Sequence, residues 1–146
     1  MRIGVSAAKG LCFSLDIPLI SISTLTSLAH QVEKKNAVII PMLDARRMEV
    51  YSAVYNSEYD QIRDTRAEIL EASSFDTYLN KGLVCFIGSG VKKFKEICNN
   101  SNAVFIEDKL PSAKEMCQLT MFKYRISDTE NVAYFEPYYL KDFIAG

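Results

Sequence analysis

The stretch Met42-Leu43-Asp44-Ala45-Arg46-Arg47-Met48-Glu49-Val50-Tyr51 limits the possible folds more than any other. An apolar run from Ala37 to Leu43 leads into Asp44. A short polar break follows, then an alternating run from Met48 to Tyr55. Apolar runs on both sides of so short a break predict strand, tight turn, strand. Asp60 to Leu70, carrying Ile62, Thr65, Ile69 and Leu70, predicts a third strand. Short turns make the three antiparallel neighbours.

The pattern then changes. Ser73-Ser74-Phe75 opens a short helix, and Leu83 to Ile87 reads as a buried strand ending in Gly88-Ser89-Gly90. Val91 to Asn99 predicts a helix with Lys92, Lys93 and Lys95 facing outward, and Ala103 to Ile106 a further strand. Pro111-Ser112-Ala113-Lys114-Glu115 is a capping box, with Ser112 as cap and Glu115 three residues on. Its helix sets Ala113, Met116, Cys117, Thr120 and Tyr124 on one stripe. The aromatic tail, Tyr134-Phe135-Glu136-Pro137-Tyr138-Tyr139-Leu140, is expected to pack down. From residue 37 the order is βββαβαβα. Three antiparallel strands followed by helical crossovers predict an α/β fold, a mixed sheet with helices on its faces. That is the ribonuclease-H-like arrangement, shared by actin-like ATPases and sugar kinases. Pro41 falls in the first, central strand, where its missing N–H predicts a bulge.

Ahead of the hairpin, residues 2–15 have a helical pattern dominated by small side chains. Gly4, Ala8 and Leu11 share one face; Ile3, Ala7, Gly10 and Ser14 lie beside it. The glycines weaken the helix intrinsically, so close packing is expected to hold it, either inside its own domain or against a partner. Asp16-Ile17-Pro18 turns the chain and Leu19 to Ser23 predicts a short strand. Ser23 or Thr24 then caps a helix whose Leu25, Leu28, Ala29 and Val32 fall on one face. Glu33-Lys34-Lys35-Asn36 closes it with positive charge, which suits the helix dipole. One strand cannot bury two helices, so residues 1–36 read as the remnant of a first domain and 37–146 as the second.

The chain has 146 residues, net charge −1 and a pI of about 5.9. So even a balance argues against a free-standing nucleic-acid binder, but not against a subunit whose partner holds the nucleic acid. No apolar run approaches bilayer length. Lys9 interrupts what would be a signal peptide's apolar core, so a cytoplasmic location is expected. The cysteines, Cys12, Cys85, Cys98 and Cys117, form no C-x-x-C pair and sit among apolar neighbours, which predicts buried free thiols.

For chemistry, Asp44 ends a central strand. It and Glu49 straddle the turn and could share a metal, but an Asx-turn at Asp44 and a pairing of Glu49 with Arg46 or Arg47 is the simpler expectation. An actin-like phosphate hairpin would want glycine after the aspartate; Ala45 and Arg46 stand there. Gly88-Ser89-Gly90 joins strand to helix. It is either a plain tight turn or an anion pocket beside Lys92 and Lys93. Asp44, Arg46, Gly88, Ser89 and Gly90 are therefore the candidate anion or nucleotide residues. His30 is the one histidine, too few for a two-histidine metal site. No Ser-His-Asp set is suggested. The residues predict no catalytic group, no metal site and no cofactor.

Several segments, taken in order, resemble the TsaB (YeaZ) family. They are Arg2-Ile3-Gly4 running into Ala8-Lys9-Gly10-Leu11, Pro18-Leu19-Ile20 with Ser23-Thr24-Leu25, and Asp44-Ala45-Arg46 with Glu49-Val50-Tyr51. Gly88-Ser89-Gly90, Leu110-Pro111-Ser112-Ala113 and Glu136-Pro137-Tyr138-Tyr139-Leu140-Lys141 complete the set. The resemblance implies an actin-like, two-domain, non-catalytic subunit in threonylcarbamoyladenosine modification of tRNA. It implies binding to the catalytic paralogue TsaD, with the ATPase TsaE joining, and tRNA met only through that complex. A homodimer is the alternative pairing. It also implies that the helix from Arg2 to Leu15 is the pairing helix, with Arg2, Gly4, Ala7, Ala8, Gly10 and Leu11 at the interface. The family begins with a strand block and a Gly-Ser-Phe-Thr-Gly turn before Arg-Ile-Gly, so this chain reads as N-terminally truncated. Older glycopeptidase labels find no support in these residues. The alternative function is a fragment of an actin-like small-molecule kinase or ATPase.

Overall fold

The structure is a computed structural model, which describes residues 2–34 and 36–140. Lys35 of the helix-closing charge and Lys141 of the carboxy-terminal motif lie outside the described residues. Helix α1 spans Arg2–Leu15, α2 Thr24–Ala29, α3 Asp76–Leu79, α4 Val91–Lys95 and α5 Ala113–Arg125. The strands are β1 Val38–Asp44, β2 Glu49–Tyr55, β3 Gln61–Ile69, β4 Val84–Ile87 and β5 Ala103–Ile106. Packing groups these into two compact units, one over Met1–Ile22 with Met116–Gly146 and one over Ser23–Glu115.

The second unit is built on one five-stranded sheet in the order β3-β2-β1-β4-β5. β1 and β2 are antiparallel, as are β2 and β3; β1 with β4 and β4 with β5 are parallel. This is the mixed sheet expected, and strand alternation divides its core in two. Ile40, Met42, Val50, Val54, Val84 and Phe86 point to the face covered by Leu79, Val91 and Phe94. Phe75, Phe86, Phe94 and Phe105 interlock there with ring centroids 4.8–6.2 Å apart. Ile39, Ala53, Tyr55, Cys85 and Ile87 point the other way, onto Leu25, Leu28, Ala29 and Val32 from α2 and the turn after it.

Pro41 is accommodated without the expected bulge. Ile39 faces Tyr55, Met42 faces Ser52, and Pro41 itself aligns with Ile87, so the register runs through it unbroken. The cost is confined to one absent donor. The irregularity lies instead between β2 and β3, at Ser52, Val54 and Tyr55. Beside it sits an ionic network. Ser52 donates to Glu68, Arg63 reaches Glu68 at 2.7 Å and Ser52 at 2.5 Å, and the Arg63 guanidinium lies 5.3 Å from the centre of the Phe75 ring.

Three helices are shorter than the periodicity suggests. The turns after α2 and α4 close partly through tighter bonds, such as Val32 N–H to the Ala29 carbonyl at 3.1 Å. The helix expected at Ser73 begins later, at Asp76, with Phe75 at its N-cap in the left-handed region. Ser112 does cap α5, its hydroxyl accepting from the Lys114 N–H at 3.1 Å.

In the first unit, the strand expected over Leu19 to Ser23 is a single bridge between Leu19 and Glu130. No α1 residue is buried, and a Cβ added at Gly4 or Gly10 would meet nothing within 4 Å, so the close packing expected of this small-residue face is not made among the described residues. The tail does not pack down as a block: Tyr134 and Tyr138 are 83% and 77% exposed. Arg2 Nε donates to Tyr139 Oη at 3.0 Å, and Lys9 Nζ donates to the Ala133 and Phe135 carbonyls. Cys85 and Cys98 are buried, but Cys12 is half-buried and Cys117 exposed, correcting the expectation for those two. Among the described residues no helix is long and apolar enough to cross a membrane.

Candidate functional site

The sequence points to two places, one in each unit, and each stands by itself. The first is the exposed face of α1. Arg2, Gly4, Ala7, Gly10 and Leu11 are exposed and Ala8 is half-buried. Ile3 is 88% and Leu11 60% exposed on the side that carries Gly4 and Ala7, and Phe13, 82% exposed, lies around the helix on the other side.

The second is the end of the sheet where β1 and β4 both finish. Here the structure brings together Asp44, Arg46, Gly88, Ser89 and Gly90. The Asp44 N–H donates to Ser89 Oγ at 3.1 Å, and the Gly90 N–H donates to the Met42 carbonyl at 3.1 Å. Gly88, at φ 117°, passes so close to β1 that a Cβ would stand 2.3 Å from the Met42 carbonyl oxygen. Only glycine fits a backbone both left-handed and this close. Gly88 and Ser89, with Lys92, Glu107, Asp108, Lys109 and Leu110, line a cavity of about 340 Å³.

Asp44 makes the Asx-turn expected, its Oδ1 accepting from the Arg46 N–H at 2.7 Å. It also accepts from Lys93 Nζ at 2.7 Å, and Lys93 reaches the Glu49 carbonyl at 3.3 Å. The hydrogen bond from Lys93, and then the one from the Arg46 backbone, hold the Asp44 carboxyl below its usual range. So the ion pair at this turn joins Asp44 to α4. Among the described residues no group of three or more potential ligands is placed to hold a metal. Arg46 and Arg47 both adopt left-handed backbone, φ 70° and 47°. The turn closes by the Glu49 N–H on the Arg46 carbonyl at 3.0 Å, and left-handed positions such as these are usually filled by glycine or asparagine. From the sequence, Lys93 stands only as a neighbour of the Gly88–Gly90 turn and Arg47 only as a partner for Glu49. The pairing of Lys93 with Asp44 had no signal in the sequence, the two residues being 49 apart. His30, half-buried, stacks on Tyr59 with ring centroids 4.3 Å apart and belongs to neither place.

A family model described as "TsaD: tRNA N6-adenosine threonylcarbamoyltransferase" matches residues 1–145. The Escherichia coli protein named tRNA threonylcarbamoyladenosine biosynthesis protein TsaB is 27% identical over 99% of this chain and 66% of its own length. The protein of the same name from Haemophilus influenzae is 28% identical over 97% and 64%. The one from Bacillus subtilis is 46% identical over 38% of this chain and 24% of its own length. The chain belongs to the TsaD family, in its TsaB/YeaZ branch. It spans just under two thirds of the length of the Escherichia coli and Haemophilus influenzae relatives. Two solved structures share the fold. One, "an uncharacterized protein with similarity to peptidase YEAZ from Pseudomonas aeruginosa", is 23% identical and superposes with a TM-score of 0.81 over 96% of this chain and 67% of that one. YeaZ from Pseudomonas aeruginosa gives 21% and 0.75 over 94% and 67%. The likeness shows that the chain shares the fold of those two structures.

Proposed function

We propose that this chain is a TsaB-type accessory subunit. It binds a TsaD-type catalytic paralogue and supports that enzyme in threonylcarbamoyladenosine modification of tRNA, with a TsaE-type ATPase joining the assembly in the cytoplasm. Family membership supports the pathway. The observation that supports the accessory role is the α1 side bearing Gly4, Ala7 and Leu11, where Ile3 and Leu11 are exposed and, among the described residues, nothing buries them. The chain's one histidine is consistent with a subunit that does no metal chemistry. In the same reading, residues 1–36 descend from the first domain of an actin-like pair and 37–146 form the second.

Co-purification of the tagged chain with its cognate TsaD-type enzyme tests this. Capture by the wild type, lost in Leu11→Asp, is the expected result. Failure of the wild type to capture the enzyme, with tRNA modification intact in cells lacking the gene, overturns it. A second reading, a fragment of an actin-like kinase, rests on the cavity beside Gly88 and Ser89. Its volume falls within the usual range for small ligands, yet its lining holds no aromatic side chain on which a base could stack. Calorimetry with ATP and magnesium separates the two: tight binding abolished by Asp44→Asn favours the kinase.

A further inference from the structure

Seven cations of the described residues are engaged by neighbours: Arg2, Lys9, Arg63, Arg66, Lys93, Lys95 and Lys123. Arg46 and Arg47 enter none of the ion pairs, and both are exposed. Their neighbour Asp44 is already occupied by Lys93, and Glu107 in the adjoining cavity by Lys95. Lys92, also exposed and outside every ion pair, lines that cavity together with Ser89, and Ser89 holds the Asp44 N–H. The hairpin tip and Lys92 thus belong to one structural end of the sheet, where Asp44 and Glu107 have partners and the exposed Asp108 and Lys109 line the same cavity as Lys92.

The tip is also built at a conformational cost. Backbone strain retained at non-glycine residues concentrates at sites that clamp a ligand. Here two consecutive arginines hold left-handed angles, fixed by Asp44 on the Arg46 N–H and by Lys93 on both Asp44 and the Glu49 carbonyl.

We propose that Arg46, Arg47 and Lys92 form a contact for the phosphodiester backbone of an RNA, with Asp44 and Lys93 as positioning residues that hold the tip. This rests on the tRNA-modification reading above, and it departs from the expectation that this subunit meets tRNA only through its partner. Guanidinium forks suit phosphate oxygens. The cations ride on an exposed hairpin tip and a helix rather than converging in a closed pocket, which suits a polyanion better than a free nucleotide. Met48, 37% exposed, is the one large apolar side chain shown at the tip, so the aromatic anchors that dominate protein interfaces are missing.

The test is fluorescence anisotropy of a labelled tRNA transcript titrated with the intact chain over a salt series. The variants are Arg46→Glu/Arg47→Glu, Lys92→Glu, and Lys81→Glu as an exposed control elsewhere. Circular dichroism checks that each is folded; Lys92→Glu leaves the hairpin untouched should the double variant fail. The expected result is a loss of about tenfold or more for the double variant, and a salt slope lower by about one unit for each phosphate contact removed. Lys81→Glu is expected to match wild type. Equal binding by all four proteins, equal loss in the control, or no salt-dependent binding by wild type overturns the proposal. So does tip-dependent binding of ADP in place of tRNA, or loss of TsaD-type enzyme capture by the double variant, which makes the tip a protein contact. Enzyme capture by wild type with tRNA affinity indifferent to the tip sinks this inference and leaves the accessory reading standing. Tip-dependent tRNA binding without enzyme capture does the reverse.

Discussion

Strand β4 and helix α1 are both rich in apolar side chains, yet all four residues of β4 are buried and none of the fourteen in α1 is. Hydrophobic content alone therefore does not decide burial. β4 lies between β1 and β5 and has a helical layer on each face of its sheet, so every side chain it presents finds a neighbour. α1 is touched by the tail through Arg2 and Lys9, which are polar anchors, while Ile3, Leu11 and Phe13 face outward. One region is covered on both faces; the other, among the described residues, is not.

The sharpest way to break that comparison is to cut into the closed region. Phe86→Ala removes the ring that touches Phe75, Phe94 and Phe105, and is expected to cost about 3–5 kcal/mol in chemical denaturation. A loss below about 1 kcal/mol would mean the sheet is as loosely covered as α1.

Next is the network at the β2–β3 irregularity. Burial works against the Glu68 charge, but the hydrogen bonds from Arg63 and Ser52 outweigh it and hold the carboxyl below its ordinary value. A depressed folded value means that stability is present above the unfolded value and lost as pH falls through the folded one. Glu68→Gln should therefore cost about 2–3 kcal/mol at pH 7. The gap from wild type should shrink as the pH is lowered below about 4.5. A gap independent of pH would exclude the ion pair as its origin.

Smaller effects test the strained tip and the open helix. Arg46→Gly and Arg47→Gly are each expected to stabilise the protein by about 0.5–1 kcal/mol, because glycine adopts left-handed backbone without the steric penalty. Destabilisation would show that the arginine side chains hold the fold. Last, Phe13→Ser on α1 should change the thermal midpoint of the chain by an amount equivalent to less than about 0.5 kcal/mol. A larger loss would show that this face is covered after all.

Strand boundaries and their order were readable because apolar runs, short turns and a glycine-flanked strand end are local signals. The β1–β2–β3 meander follows directly from the polar break at Asp44 and the pattern beyond Tyr55. What could not be read was anything decided across a distance. Leu19 to Ser23 has a strand-like pattern but finds a single bridging residue, Glu130, and so forms no ladder. Pro41 sits in a central strand without a bulge because neighbours on either side of it keep their partners. Cys117 was expected inside because its neighbours are apolar, but on α5 that stripe faces outward. At the candidate site, Asp44, Arg46 and the Gly88–Gly90 turn were legible as turn chemistry. Lys93 looked like one more outward lysine until the fold brought it to Asp44.

That lysine makes two stretches of sequence behave as one unit of inheritance. A change at position 93 should surface as a fault in the hairpin, and second-site revertants of it should map to Asp44 or Arg46 instead of to the adjoining turns of α4. Selection would then see the two loops as a single locus folded from separate text.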